Sequence, residues 1–116
     1  MFKTDTLKKN YEFKRVLTKG KYLTGIYIEC FYIKNNYKDK NFIGIAISSK
    51  IAKATKRNNI KRLIRENYKE IEKYIKTGKS FVFLWKKNKN IKDATYINIK
   101  NDINKIFNEM DMFINE

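Results

Sequence analysis

The run Ser80-Phe-Val-Phe-Leu-Trp85 is apolar after its first residue and shows no polar alternation. It is bounded by Gly78 on one side and by the basic stretch Lys86-Lys-Asn-Lys-Asn90 on the other. A strand that is apolar on both faces must be covered on both faces, so it belongs inside a layered fold rather than at an edge. Two further stretches read as its neighbours. Residues 26–34 alternate, with Ile26, Ile28, Cys30 and Tyr32 on one face and Tyr27, Glu29, Phe31 and Ile33 on the other. The second of these faces mixes aromatic rings with a charge and is expected to be half open. Phe42-Ile-Gly-Ile-Ala-Ile-Ser48 is a second, Ile-rich strand, and a short strand around residues 21–23 precedes both.

Three segments carry helical periodicity. Phe13, Val16 and Leu17 share an edge in a short helix that Asn10 is expected to cap and Gly20 to end. Residues 1–9 before it are polar apart from Leu7 and read as extended or mobile. From about residue 55 to 76, Ile60, Leu63, Ile64, Tyr68, Ile71, Tyr74 and Ile75 fall in one sector roughly 120° wide. Asn58, Lys61, Arg62, Arg65 and Lys69 fall opposite, and Thr55 reads as the N-cap. Thr95 is expected to cap a last helix bearing Tyr96, Ile99, Ile103, Ile106, Phe107, Met110 and Ile114. The order helix, two or three strands, helix, strand, helix predicts an α+β sandwich. A chain of 116 residues is expected to form one domain, residues 1–116.

Charge narrows the function. Seven of the residues from Lys50 to Arg65 are Lys or Arg (Lys50, Lys53, Lys56, Arg57, Lys61, Arg62 and Arg65), and none is acidic. Three of the four arginines in the chain lie between positions 57 and 65. Abundant Lys, Asn and Ile with no Pro indicate a compositional bias that explains part of the Lys excess, but not this placement of Arg. Arg presents a planar fork that grips phosphate oxygens in pairs and stacks on bases. The net charge of +15 predicts a polyanionic partner. Residues 93–116 carry a net charge of −3 and residues 1–92 carry +18, so the last helix is expected to lie away from that partner.

Several functions are disfavoured. The chain has no His, which excludes a His general base, a Ser-His pair and a His metal ligand. Its twelve acids are scattered, whereas metal-dependent nucleases cluster carboxylates. Glu66 and Glu70 read as ion-pair partners, and Asp102, Glu109 and Asp111 as solvated. No catalytic residue and no protein-bound metal are expected. The single Cys30 permits no intrachain disulfide and reads as a small core residue. No apolar run approaches 18 residues and no signal-like segment opens the chain, so a cytoplasmic protein with no membrane partner is expected. No small-molecule substrate is expected.

Ala54-Thr-Lys-Arg57-Asn58-Asn-Ile-Lys61-Arg62-Leu-Ile-Arg65-Glu66 resembles the signature of the bacterial ribonuclease P protein component. That signature reads Ala, two variable positions, Arg-Asn, two variable positions, Lys-Arg, two variable positions, Arg-Glu, and every fixed position is present. Phe13-Lys-Arg-Val16-Leu17-Thr-Lys-Gly20-Lys21 resembles the family's first helix, with Leu17 where a second aromatic is usual. Asn59 stands where Arg or Lys is frequent and Ala52 where Gly is usual. The resemblance implies the order α-β-β-β-α-β-α with a mixed sheet, a ribosomal protein S5 domain 2-like fold. It implies the protein subunit of an endoribonuclease whose catalyst is an RNA, removing the 5′ leader of precursor tRNA with Mg²⁺ bound by the RNA subunit and substrate. The partners it implies are ribonuclease P RNA and precursor tRNA.

Carried over by position, Lys50, Lys53, Lys56, Arg57, Asn58, Lys61, Arg62 and Arg65 would bind RNA. Arg62 and Arg65 would face mainly the catalytic RNA, while Arg57, Asn58 and Lys61 border the leader. Phe13, Leu17 and Phe31 would line a cleft for the single-stranded leader. Composition alone also accommodates a structural RNA-binding protein of the ribosomal type, and a basic helix also accommodates a DNA major-groove reader.

Overall fold

A computed structural model describes residues 3–114. Five strands form one mixed sheet: β1 (Thr4–Thr6), β2 (Lys21–Thr24), β3 (Ile28–Lys34), β4 (Asn41–Ile45) and β5 (Lys79–Trp85). Their spatial order is β1-β4-β5-β3-β2. The apolar run is thus the central strand, antiparallel to β3 and parallel to β4. Three helices cover the sheet: α1 (Asn10–Lys19), α2 (Ala54–Ile71) and α3 (Tyr96–Glu109).

The strand β5 divides the interior in two. Phe81, Phe83 and Trp85 enter a main core with Ile28 and Cys30 of β3, Ile60, Leu63, Ile64 and Tyr68 of α2, and Ile99, Ile103, Ile106 and Phe107 of α3. Val82 and Leu84 point the other way, into a smaller cluster with Leu7, Val16, Phe13, Leu17, Phe31 and Ile33 beneath α1. Two helices therefore cover one face of the sheet and one short helix covers part of the other. This is the expected α+β sandwich. Cys30 is fully buried, and burial pushes its thiol well above its ordinary pKa, so it is inert packing.

Several local expectations need correction. The N-terminal stretch contributes a strand, because β1 pairs parallel with β4 and Thr4 Oγ1 lies 2.7 Å from the buried Tyr68 hydroxyl. The first two residues of that stretch lie outside the described residues. Asn10 is already inside α1. Lys9 takes the cap position, and its N–H donates to Glu12 Oε1 at 3.0 Å. Gly20 ends α1 in extended backbone (φ −77°, ψ 164°). A Cβ there would lie 2.4 Å from the Val16 carbonyl oxygen, so close approach, not a left-handed turn, requires glycine. Thr55 is not the cap of α2; Lys53 precedes the first turn and no side chain caps it.

At its other end α2 stops at Ile71 and tightens into a 3₁₀ turn, Glu72–Tyr74. The change of pitch turns Tyr74 out to solvent, while Ile75 stays buried and pairs with Phe113. Strand β3 begins at Ile28, so Ile26 is exposed and Tyr27 instead stacks on Trp85 with ring centroids 5.7 Å apart. Thr95 caps α3 as expected, accepting from the Asn98 N–H at 3.3 Å. Ile114 lies beyond α3 and is exposed.

The largest correction is Asp102, which is 2% exposed rather than solvated. Its carboxylate accepts from the N–H groups of Ile26 (2.8 Å), Tyr27 (2.7 Å) and Ile28 (3.0 Å). These three groups form the turn between β2 and β3, so a single side chain of α3 gathers that turn onto the helix. Gly25 makes room for it, since a Cβ there would sit 2.3 Å from the Asp102 carboxyl carbon. Asp102→Ala would leave buried N–H groups without acceptors and should lower the unfolding free energy by about 3 kcal/mol in urea denaturation, with Asp102→Asn falling between. A loss below about 0.5 kcal/mol, the range of an ordinary surface substitution, would show that the turn holds without it.

Candidate nucleic-acid interface

The basic stretch wraps the start of α2. Strand β4 leads through Ala46, whose N–H donates to the Phe83 carbonyl at 2.9 Å, into a turn closed by Ile51 N–H on the Ser48 carbonyl (3.1 Å). Lys50, Lys53, Lys56 and Asn58 are all exposed there. The first turn of α2 holds no acid and no capping side chain. Its positive helix end is therefore open to an anion.

The three arginines of α2 are not equivalent. Arg57 is half-buried, and its Nη1 donates to the Ala52 carbonyl at 2.7 Å, tying the loop to the helix. Arg62 is exposed but held within the helix: Nη1 donates to Glu66 Oε1 at 2.8 Å and Nη2 to Asn59 Oδ1 at 2.7 Å. Arg65 is exposed and makes no ion pair among the described residues. Lys61 is half-buried beside them. The pair at Arg62 is an exposed i,i+4 contact, which is weak and easily exchanged for a phosphate. Glu66 is thus the ion-pair partner expected, whereas Glu70 accepts instead from the Tyr96 hydroxyl.

A second basic element joins this one. Lys87, Lys89, Asn90 and Ile91 line a groove with Ser48, Lys50 and Ile51. Beside it, Ile91 and Lys92 face Thr55, Lys56 and Asn59. Trp85 Nε1 anchors the loop by donating to the Lys89 carbonyl at 3.0 Å. The sequence shows this loop to be basic, but its distance of some thirty residues along the chain hides its contact with α2.

The three residues expected in a cleft come together on the other sheet face. Phe13, Leu17 and Phe31 are each half-buried around Leu7, Val16 and Val82. Phe13 packs over β4 at Gly44, where a Cβ would come within 2.5 Å of its ring. Glycine here lets α1 approach the sheet. Phe31 lies beside Tyr22 of β2, with ring centroids 5.0 Å apart. Periodicity does not single out Tyr22, yet it is 46% exposed on this aromatic floor. Ala46 borders the same floor and lies two residues before Ser48, so the apolar face and the basic turn meet at the end of β4.

Among the described residues no group of three or more His, Cys, Asp or Glu side chains is placed to hold a metal. A carboxylate-held Mg²⁺ site needs such a cluster, and the described residues do not supply one. No described helix is long and apolar enough to cross a membrane.

Comparison with known proteins agrees with this geometry. The Ribonuclease P family model matches residues 1–111. The ribonuclease P protein component of Clostridium acetobutylicum is 36% identical over 114 residues, covering 97% of this chain and 93% of that protein. That of Clostridioides difficile is 34% identical over 113 residues, covering 97% and 96%. The solved Staphylococcus aureus RNase P protein superposes with a TM-score of 0.81 at 29% identity, covering 94% of this chain and 97% of that one. The Thermotoga maritima RNase P protein shares the fold, with a TM-score of 0.77 at 24% identity over 87% of this chain and 94% of that one. With its Arg-Asn, Lys-Arg and Arg-Glu pairs on the exposed start of α2 and its half-open aromatic sheet face, the chain belongs to the ribonuclease P protein family.

Proposed function

We propose that this chain is the protein subunit of ribonuclease P and assists a catalytic RNA in removing the 5′ leader of precursor tRNA. The observation that carries this reading is the meeting of two unlike surfaces at the end of β4. One is the basic turn and first two-thirds of α2, with Lys50, Lys53, Lys56, Asn58, Lys61 and Arg65 at or near solvent. The other is the aromatic floor of Phe13, Leu17 and Phe31. A folded RNA offers mainly phosphates, which suit the first surface. A single-stranded leader offers phosphates and unstacked bases, which suit both together. Each base stacked on an aromatic platform is worth roughly 1–3 kcal/mol. The Mg²⁺ ions that activate the attacking water belong, in this reading, to the RNA subunit and its substrate. The protein's own work is to hold the two RNAs together, in the cytoplasm and as one RNA-binding domain.

Within that work the arginines divide. Arg65 is free to meet the RNA subunit, Arg62 meets it by exchanging Glu66 for a phosphate, and Arg57 shapes the turn bearing Lys50 and Lys53. A ribosomal-type structural role lacks an observation of its own, since the half-open aromatic floor then has no use.

The direct test is precursor tRNA cleavage by a bacterial ribonuclease P RNA at low Mg²⁺, with and without this protein. Cleavage at the mature 5′ end is expected only with the protein. Tight binding to the RNA with no gain in cleavage would favour the structural reading. Arg65→Ala should leave the urea midpoint unchanged while reducing the salt slope of RNA binding by about 0.7–0.9 for each phosphate that the guanidinium neutralises. Arg57→Ala should weaken binding and also lower the unfolding free energy by about 1 kcal/mol, because its hydrogen bond to Ala52 is removed. Equal stability losses in both variants would contradict this division.

A further inference from the structure

The aromatic floor holds a carboxylate that the rest of the surface does not lead one to expect. Glu29 lies two residues before Phe31 on β3, so both side chains project from the same sheet face. Tyr22 stands opposite Phe31 on β2. Its hydroxyl donates to Glu29 Oε2 at 2.6 Å, while its ring lies 5.0 Å from Phe31. Among the described residues Glu29 forms no ion pair, although the chain carries 27 Lys and Arg. The carboxylate is therefore held by a hydroxyl and flanked by rings rather than neutralised. Its proximity raises the Tyr22 phenol above its ordinary pKa, so the hydroxyl remains a donor through the physiological range.

An un-neutralised carboxylate repels phosphate. A strand crossing this floor must hold its backbone toward the basic turn and present bases to the floor. An ionised carboxylate only accepts, with about four lone-pair positions, of which Tyr22 occupies one. The Watson–Crick edge that matches it is one with two parallel N–H donors. Guanine has that edge in N1–H and the N2 amino group. Adenine and cytosine set one amino group beside an acceptor nitrogen, and uracil sets its N–H between two carbonyl oxygens, each of which the carboxylate would repel.

We propose that Tyr22, Glu29 and Phe31 form a guanine-reading subsite, in which the base stacks on the exposed Tyr22 ring, Phe31, inclined at 56° to it, forms the side wall, and Glu29 accepts from the Watson–Crick edge. This deepens the leader-binding reading and rests on it.

The test uses the holoenzyme reconstituted with a bacterial ribonuclease P RNA. Its substrates are precursor tRNAs with uridine leaders in which a single guanosine is moved position by position, together with a leaderless control. At one position guanosine should tighten binding about tenfold over uridine, the discrimination typical of a bidentate base contact. Inosine, which lacks the N2 amino group, should lose most of that gain. Glu29→Gln should reduce the preference to within about twofold and raise affinity for the all-uridine leader by removing a repelling charge. Tyr22→Phe, which leaves the carboxylate unheld, should weaken the preference partially. A leader that tightens binding with no guanosine preference, or a preference that survives in Glu29→Gln, overturns the subsite and leaves the leader reading standing. A leader that makes no difference to binding removes both.

Discussion

The arrangement depends on β5, a strand that must be dry on both faces. Its inward side chains, Phe81, Phe83 and Trp85, require a thick layer, which α2 and α3 supply together. Its outward side chains, Val82 and Leu84, require a thinner one, and α1 supplies it alone. A helix of ten residues is about 15 Å long, whereas five strands span about 20 Å across. One such helix does not cover that face. The uncovered remainder is the aromatic floor of Tyr22 and Phe31, so the half-open surface follows from the same unequal layering that dries the central strand.

Electrostatics then separates the two ends of the molecule. The excess of +18 lies in residues 1–92, and the closing segment, residues 93–116, carries −3. One of its acids, Asp102, is withdrawn from the surface to gather three N–H groups of the β2–β3 turn. That turn sets where β3 begins, and so which residues face outward as Glu29 and Phe31. The acid farthest from the basic helix in function thus positions the floor that the basic helix borders.

The elements whose side chains repeat at one period were legible in sequence. The two-sided burial of β5, the core stripe of Ile60, Leu63, Ile64 and Tyr68, and the cap at Thr95 all follow from local pattern. The Arg-Asn, Lys-Arg and Arg-Glu spacing likewise put the basic residues on the exposed start of α2. What escaped depends on contacts between distant segments. Asp102 meets residues more than seventy positions away, and a lone acid on a helix looks solvated until its partner is known. Asn41 falls just before the strand expected from Phe42, yet it is fully buried, donating to the Lys76 carbonyl (3.0 Å) and accepting from the Lys79 N–H (3.0 Å). Asn67 sits polar within an apolar stripe because its amide donates to the Leu63 and Tyr96 carbonyls, bridging α2 to α3. Tyr22 escaped because β2 has four residues, too few to display alternation. The bond from Arg57 to Ala52 depends on loop backbone, which no side-chain pattern reports.

The central claim is that the sheet face under α1, and not the α2–α3 layer, meets the single-stranded leader. It is tested most directly by crosslinking from two sites in the holoenzyme bound to precursor tRNA. Because Cys30 is fully buried, a cysteine introduced at Leu17 or at exposed Asn101 of α3 can be labelled selectively with a short photoreactive group. Crosslinks to leader nucleotides are predicted from position 17 and none from position 101. Leader crosslinks from position 101, or their absence from position 17, would contradict the claim.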